Sequence, residues 1–157
     1  MTNEKEIKTA KVIYEQLCRV LDAKQWKYDR HDEDLVIYFA VKGEDIPMEF
    51  TFGVDVDRQL VRLRSLLPFK FAADKRMEGA IVTSRANYLL VDGCFEYDIT
   101  DGEISFKLTT SCRDSIVSNE TIDYMIDCAL FVVEEFNDKF MAVSKGYLSV
   151  EQFLKDN

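Results

Sequence analysis

The chain has 157 residues, 47% of them hydrophobic and 31% charged, with a formal net charge of −9. That length suits one domain, which buries roughly 68–70% of its unfolded surface and needs no disulfide or metal to fold. The acidic surface repels phosphate backbones and anionic lipid, which argues against nucleic acid and membrane as partners.

Residues 3–23 are predicted as an amphipathic helix, with Ile7, Ala10, Ile13, Leu17, Val20 and Leu21 at helical spacing. Trp26 and Tyr28 lead into an exposed polar turn at 30–34, and residues 35–41 read as a strand apolar on both faces. Residues 46–55 and 60–66 form the next two strands, with Val54 opposite Val61 and Phe52 opposite Leu63; Pro47 marks the start of the former. Pro68 to Phe71 is taken as a connector. Asp74 is the expected N-cap of a helix reaching about residue 91, its apolar stripe being Met77, Ala80, Ile81, Ser84, Tyr88 and Val91.

Gly93 then opens a hairpin. Asp101-Gly102 suits a two-residue type I′ turn, which sets Ile99 against Ile104, Tyr97 against Phe106, Phe95 against Leu108 and Glu96 against Lys107. Ser118 caps a long third helix whose stripe runs Ile122, Met125, Ala129, Val132, Val133, Phe136 and Phe140. Tyr124, Cys128 and Phe131 widen that stripe and predict cover on more than one side. Gly146 is the expected C-cap, and Ser149 to Gln152 the capping box of a short amphipathic tail. The whole is one domain, 1–157, with a core over about 3–145 and the tail at 146–157.

Little of this pattern carries chemistry. Cys18, Cys94, Cys112 and Cys128 show no zinc-like spacing, and Cys18 and Cys128 read as small buried hydrophobes. The N-terminus lacks the apolar core of a secretory signal, so a cytoplasmic protein with reduced thiols is expected. His31 is the single histidine, in a polar turn, and Asp55-Val-Asp57 lacks the glycine and glutamate of a calcium loop. No P-loop, GxGxxG or GxSxG motif occurs, so neither a catalytic residue, a cofactor site nor a metal site is assigned. Two features stand above this background. Lys75 and Arg76 at a helix start form a candidate anion site. Trp26, Phe69 and Phe71 lie on or beside connectors and form a candidate apolar patch for a partner.

Lys75-Arg76, the helix carrying Asn87, and Leu90-x-x-Gly93-x-Phe95-Glu-Tyr-Asp98-x-x-Asp101-Gly102-x-Ile104-x-Phe106-Lys107 resemble the YbjN-type domain of bacteria, over about residues 25–145. The resemblance implies the fold of the acidic class I chaperones of type III secretion. These are homodimers, joined mainly through the second helix and the neighbouring strand. They bind an extended client segment on apolar patches and hydrolyse nothing. Asn87 is expected to hydrogen-bond a helix–strand junction.

The expected protein is therefore α+β, in the order α-β-β-β-α-β-β-α, with a five-stranded antiparallel sheet and helices mainly on one face. Its expected role is a non-enzymatic protein-binding module, chaperone- or adaptor-like and homodimeric, with Met77, Ile81, Tyr88 and Cys94 as the self-contact. A small-ligand-sensing domain is the alternative, and an enzyme without a recognisable motif the third.

Overall fold

In the computed structural model, which describes residues 3–157, α1 (Glu4–Ala23) starts at a capping box: the Asn3 side chain accepts from Glu6 N, and the Glu6 carboxylate accepts from Asn3 N. Ala10, Ile13, Leu17, Val20 and Leu21 face inward as expected; Ile7, near the start, is exposed. Six strands follow in two groups: β1 (Asp29–His31), β2 (Val36–Val41), β3 (Met48–Asp55) and β4 (Leu60–Lys70), then β5 (Cys94–Asp98) and β6 (Glu103–Ser111). Between the groups lie a 3₁₀ turn (Ala73–Lys75) and α2 (Arg76–Leu89); α3 (Asn119–Ser144) and α4 (Val150–Asp156) end the chain. The strands form one antiparallel sheet in the order β1-β2-β3-β4-β6-β5.

The sheet thus has six strands, not five. The missed strand, β1, lies within and beside the segment expected to be a polar turn, pairing Arg30 with Ile37. All three of its residues are exposed, so no hydrophobic alternation marks it. Its neighbour β2 is covered on one face only: Ile37 and Phe39 are buried, Tyr38 and Ala40 are exposed. The helices pack on a single side, so the residues read as a second buried face meet water. The β3–β4 register is the expected one, Val54 against Val61 and Phe52 against Leu63. However, β4 runs on through the supposed connector to Lys70, and Pro68 falls in the register break between Leu66 and Lys70, where its missing N–H disturbs no paired position.

The hairpin forms with its register moved by two residues: Phe95 faces Phe106 and Tyr97 faces Ile104. Its loop is four residues long, 99–102. A type I′ turn needs positive φ at both central residues, and of the Asp101-Gly102 pair only Gly102 has it, at 79°. The aspartates order the longer loop instead. Asp98 accepts from Thr100 N and Oγ1, and Asp101 accepts from Glu103 N. A shift of two preserves the side-chain alternation, so the apolar face survives the error. Lys107 reaches Glu96 diagonally rather than straight across.

The open face of the sheet is laced with charge: Arg64 approaches Glu96 and Glu103, and Lys70 approaches Asp101 and Glu103. Beneath the other face the core is aromatic. The Phe95 ring lies 4.9 Å from Phe140, which stacks on Phe136 and on Phe153 of α4. Burying each such ring contributes about 1.5–3 kcal/mol. Every residue of the predicted α3 stripe is buried below the Ser118 cap. Tyr124 and Phe131 are exposed and Cys128 is only half-buried, because among the described residues no helix or strand lies over that side of α3. The α4 cap is half of the expected box. Ser149 accepts from Gln152 N, but the Gln152 side chain bonds Asp156 instead of turning back.

Candidate protein-binding surface

The second helix is built on small residues. Its buried positions are Gly79, Val82, Thr83 and Ala86, none from the stripe that hydrophobicity picks out. At Gly79 a Cβ would sit 2.7 Å from Tyr97 Cζ and 2.8 Å from Phe71 Cγ, so α2 approaches the hairpin more closely than a side chain permits. No side chain caps this helix: Asp74 lies within the 3₁₀ turn and Lys75 occupies the N-cap position.

The stripe faces solvent as a result. Met77, Ile81 and Tyr88 lie along one side of α2, and Met77 and Tyr88 are 67% and 81% exposed. Ile81 and Tyr88, with Ala80, Ser84, Arg85 and Leu154, line a shallow depression of about 580 Å³ between α2 and α4. Arg85 lies over the Tyr88 ring at 5.6 Å and donates to the Asn157 carbonyl oxygen, which holds the end of α4 against α2. The sequence reading missed Arg85 and Leu154; both belong to this surface only because α4 folds back. Cys94 does not join it, since it alternates with Phe95 along β5 and so points to the opposite face of the sheet.

Beside this surface the sheet edge is clasped at Phe95. β5 is an outer strand, and the Asn87 carboxamide both donates to Phe95 O (2.9 Å) and accepts from Phe95 N (2.7 Å). The expected helix–strand junction is thus a two-bond clasp. Tyr97 adds a third tie, donating from its hydroxyl to Arg76 O.

The other candidate residues do not assemble. Phe71 is fully buried against Tyr97, its N–H bonded to Gly102 O, so it is core and not part of a partner patch. Trp26 is half-buried on Phe39 of β2, whereas Phe69 packs on Phe71 beyond β4, so the three rings form no single patch. Lys75 lies 3.1 Å from Glu78, a carboxylate already placed where an incoming anion would bind. Arg76 Nε is enclosed without an acceptor.

His31 sits exposed in β1, edge-on to Tyr38. Burial pushes the Cys18, Cys112 and Cys128 thiols up from their ordinary value, which disfavours the reactive thiolate. Asp55 is occupied by the Arg58 N–H and the Arg58 and Arg62 guanidinium groups. Among the described residues no three His, Cys, Asp or Glu side chains are grouped as metal ligands, and no helix is long and apolar enough to cross a membrane. A separate cleft of about 860 Å³ opens between the start of α1, the β3–β4 turn and the β6–α3 connection, with Glu6 and Gln59 bonded across it.

Two solved structures share this arrangement. The crystal structure of YbjN from E. coli, described as a putative transcription regulator, matches with a TM-score of 0.59 at 12% identity, covering 80% of this chain and 92% of that one. A chain of the ExsC–ExsE complex matches with a TM-score of 0.51 at 9% identity, covering 82% and 95%. At these identities the likeness shows the fold alone, which is the chaperone-like fold expected from the sequence. No curated protein matches the sequence. The family model described as "Putative bacterial sensory transduction regulator" matches residues 14–142, from within α1 to near the end of α3. The chain belongs to the YbjN family.

Proposed function

We propose that this chain is a non-enzymatic protein-binding module, adaptor- or chaperone-like, that pairs with a second copy of itself through the outer face of α2. The observation that carries the reading is the row Met77, Ile81 and Tyr88 exposed on a helix whose inner face is already packed. Aromatic and Met side chains are enriched at interface cores. The depression beside them is lined by no carboxylate, so two copies of an acidic protein can meet there without setting carboxylate on carboxylate inside it. The Asn87 clasp supports contact through side chains rather than through strand addition at β5. A cytoplasmic setting is part of the proposal, and four unpaired thiols fit it.

Light-scattering chromatography of the wild type and of Tyr88→Glu tests the reading. A wild-type dimer that becomes a folded monomer supports it. A wild-type monomer overturns it and favours the second reading, a ligand sensor, for which the 860 Å³ cleft beside α1 is the structural support.

A further inference from the structure

We propose that the groove between α3 and the β2–β3 connection, centred on Phe131, docks a short basic and apolar segment of a client protein. The proposal deepens the binding-module reading and rests on it.

Phe131 is 72% exposed on the outer side of α3, in line with Tyr124 and Cys128 at helical spacing. It borders a groove of about 470 Å³ whose apolar lining includes Val41, Met48 and Leu130. Five carboxylates line the same groove, Glu44, Asp45, Glu134, Glu135 and Asp138, against one ammonium, Lys139; of these acids Glu134 is turned inward, accepting from Glu44 N, and the other four are the ones a ligand can meet. That ammonium is already 2.6 Å from Glu135.

The charge selects the occupant. A second copy seated on its own groove would set carboxylates against carboxylates, unlike at the α2 face. A lone metal ion does not fit either, because among the described residues no three of these acids converge as ligands. The acids are strung along the groove beside an apolar ring. From Leu130 to Lys139 the helix rises about 13 Å, the length of about four residues of extended chain. The matching ligand is a segment of that length in which the groove-facing side, every second residue, carries both Lys or Arg and large apolar residues. Its cations would meet the acids while its apolar side chains cover Phe131.

The test is fluorescence anisotropy on the full chain with a labelled hexapeptide of sequence Arg-Arg-Leu-Leu-Arg-Arg, which presents both residue types on each face, and a second with serine in place of leucine. The leucine peptide is expected to bind about tenfold more tightly or better, the gain of covering one exposed ring. Phe131→Ser, and separately the triple Asp45→Asn, Glu135→Gln, Asp138→Asn, should each weaken it about tenfold while circular dichroism remains native. The triple Asp29→Asn, Glu33→Gln, Asp34→Asn removes equal charge elsewhere and should stay within about twofold of the wild type. Equal binding of the two peptides, equal loss in the two triples, an unaffected Phe131→Ser or no binding by the wild type each overturns the proposal. Should it fail while Tyr88→Glu still splits a dimer, the α2 reading stands; failure of both removes the binding module itself.

Discussion

The side-chain amide of Asn87 meets the N–H and the C=O of Phe95, standing in for a neighbouring strand at the edge of the sheet. A buried backbone group left unpaired costs about 1–3 kcal/mol; both groups here are part-buried on an edge strand, where water replaces some of what is lost, so Asn87→Ala should destabilise the fold by about 1–3 kcal/mol for the pair. Asn87→Asp keeps an acceptor for Phe95 N but loses the donor for Phe95 O, and should recover only part of the loss. Urea unfolding of the three proteins checks both outcomes.

Gly79→Ala reverses an ordinary expectation. In an exposed helix this change stabilises by about 1 kcal/mol. Here the new methyl would press on Tyr97 and Phe71, and Tyr97 is tethered to Arg76 O. The expected result is a loss of about 1–3 kcal/mol, as for other overpacked sites, read from the urea midpoint.

The same site explains what the sequence conceals. Met77, Ile81 and Tyr88 fall on one helical stripe, and apolar periodicity assigns such a stripe to the core; Val91, expected on it, lies past the helix end at Leu89. The helix turns the other way because Gly79 and Ala86 allow a closer approach than any large residue. The stripe on α3 behaves as expected: its large residues are buried and the helix packs on β3, β4 and β6. Asp101-Gly102 identifies a turn correctly yet misplaces the ladder, because the Asp98 carboxylate recruits Thr100 and lengthens the loop. Exposed Phe131 carries no sequence signal of its exposure; nothing in a linear pattern says which side of a long helix lacks a cover.

Tyr14 predicts an alkaline limb. Burial and the hydrogen bond to Asp32 push its phenol up to about 12 from 10.0. A folded value above the unfolded one gives stabilisation that is complete below pH 10 and fades as the pH rises through 12. Tyr14→Phe should cost about 1 kcal/mol at pH 7 through the lost hydrogen bond. Its deficit should shrink between pH 10 and 12, where the phenol ionises in the unfolded wild type but keeps its proton in the folded one. Tyr28, also pushed up by burial and Asp22, keeps part of the alkaline limb in both proteins. Urea midpoints from neutral to alkaline pH measure the difference.

Phe153 is fully buried on Phe140 although its helix is only seven residues long. Phe153→Ala should cost about 3–5 kcal/mol, more than a peripheral tail would lead one to expect. A thermal melt with circular dichroism tests it.

The residues matching the family model stop at 142, and Phe153 lies past that point. Where to cut the gene for expression is therefore settled by the aromatic stack rather than by the family boundary. A fragment ending at 142 would leave one side of Phe140 wet and remove Arg85's acceptor. Such a fragment should be prone to clump, and any stickiness measured on it would report the missing helix rather than the partner surface of the intact chain.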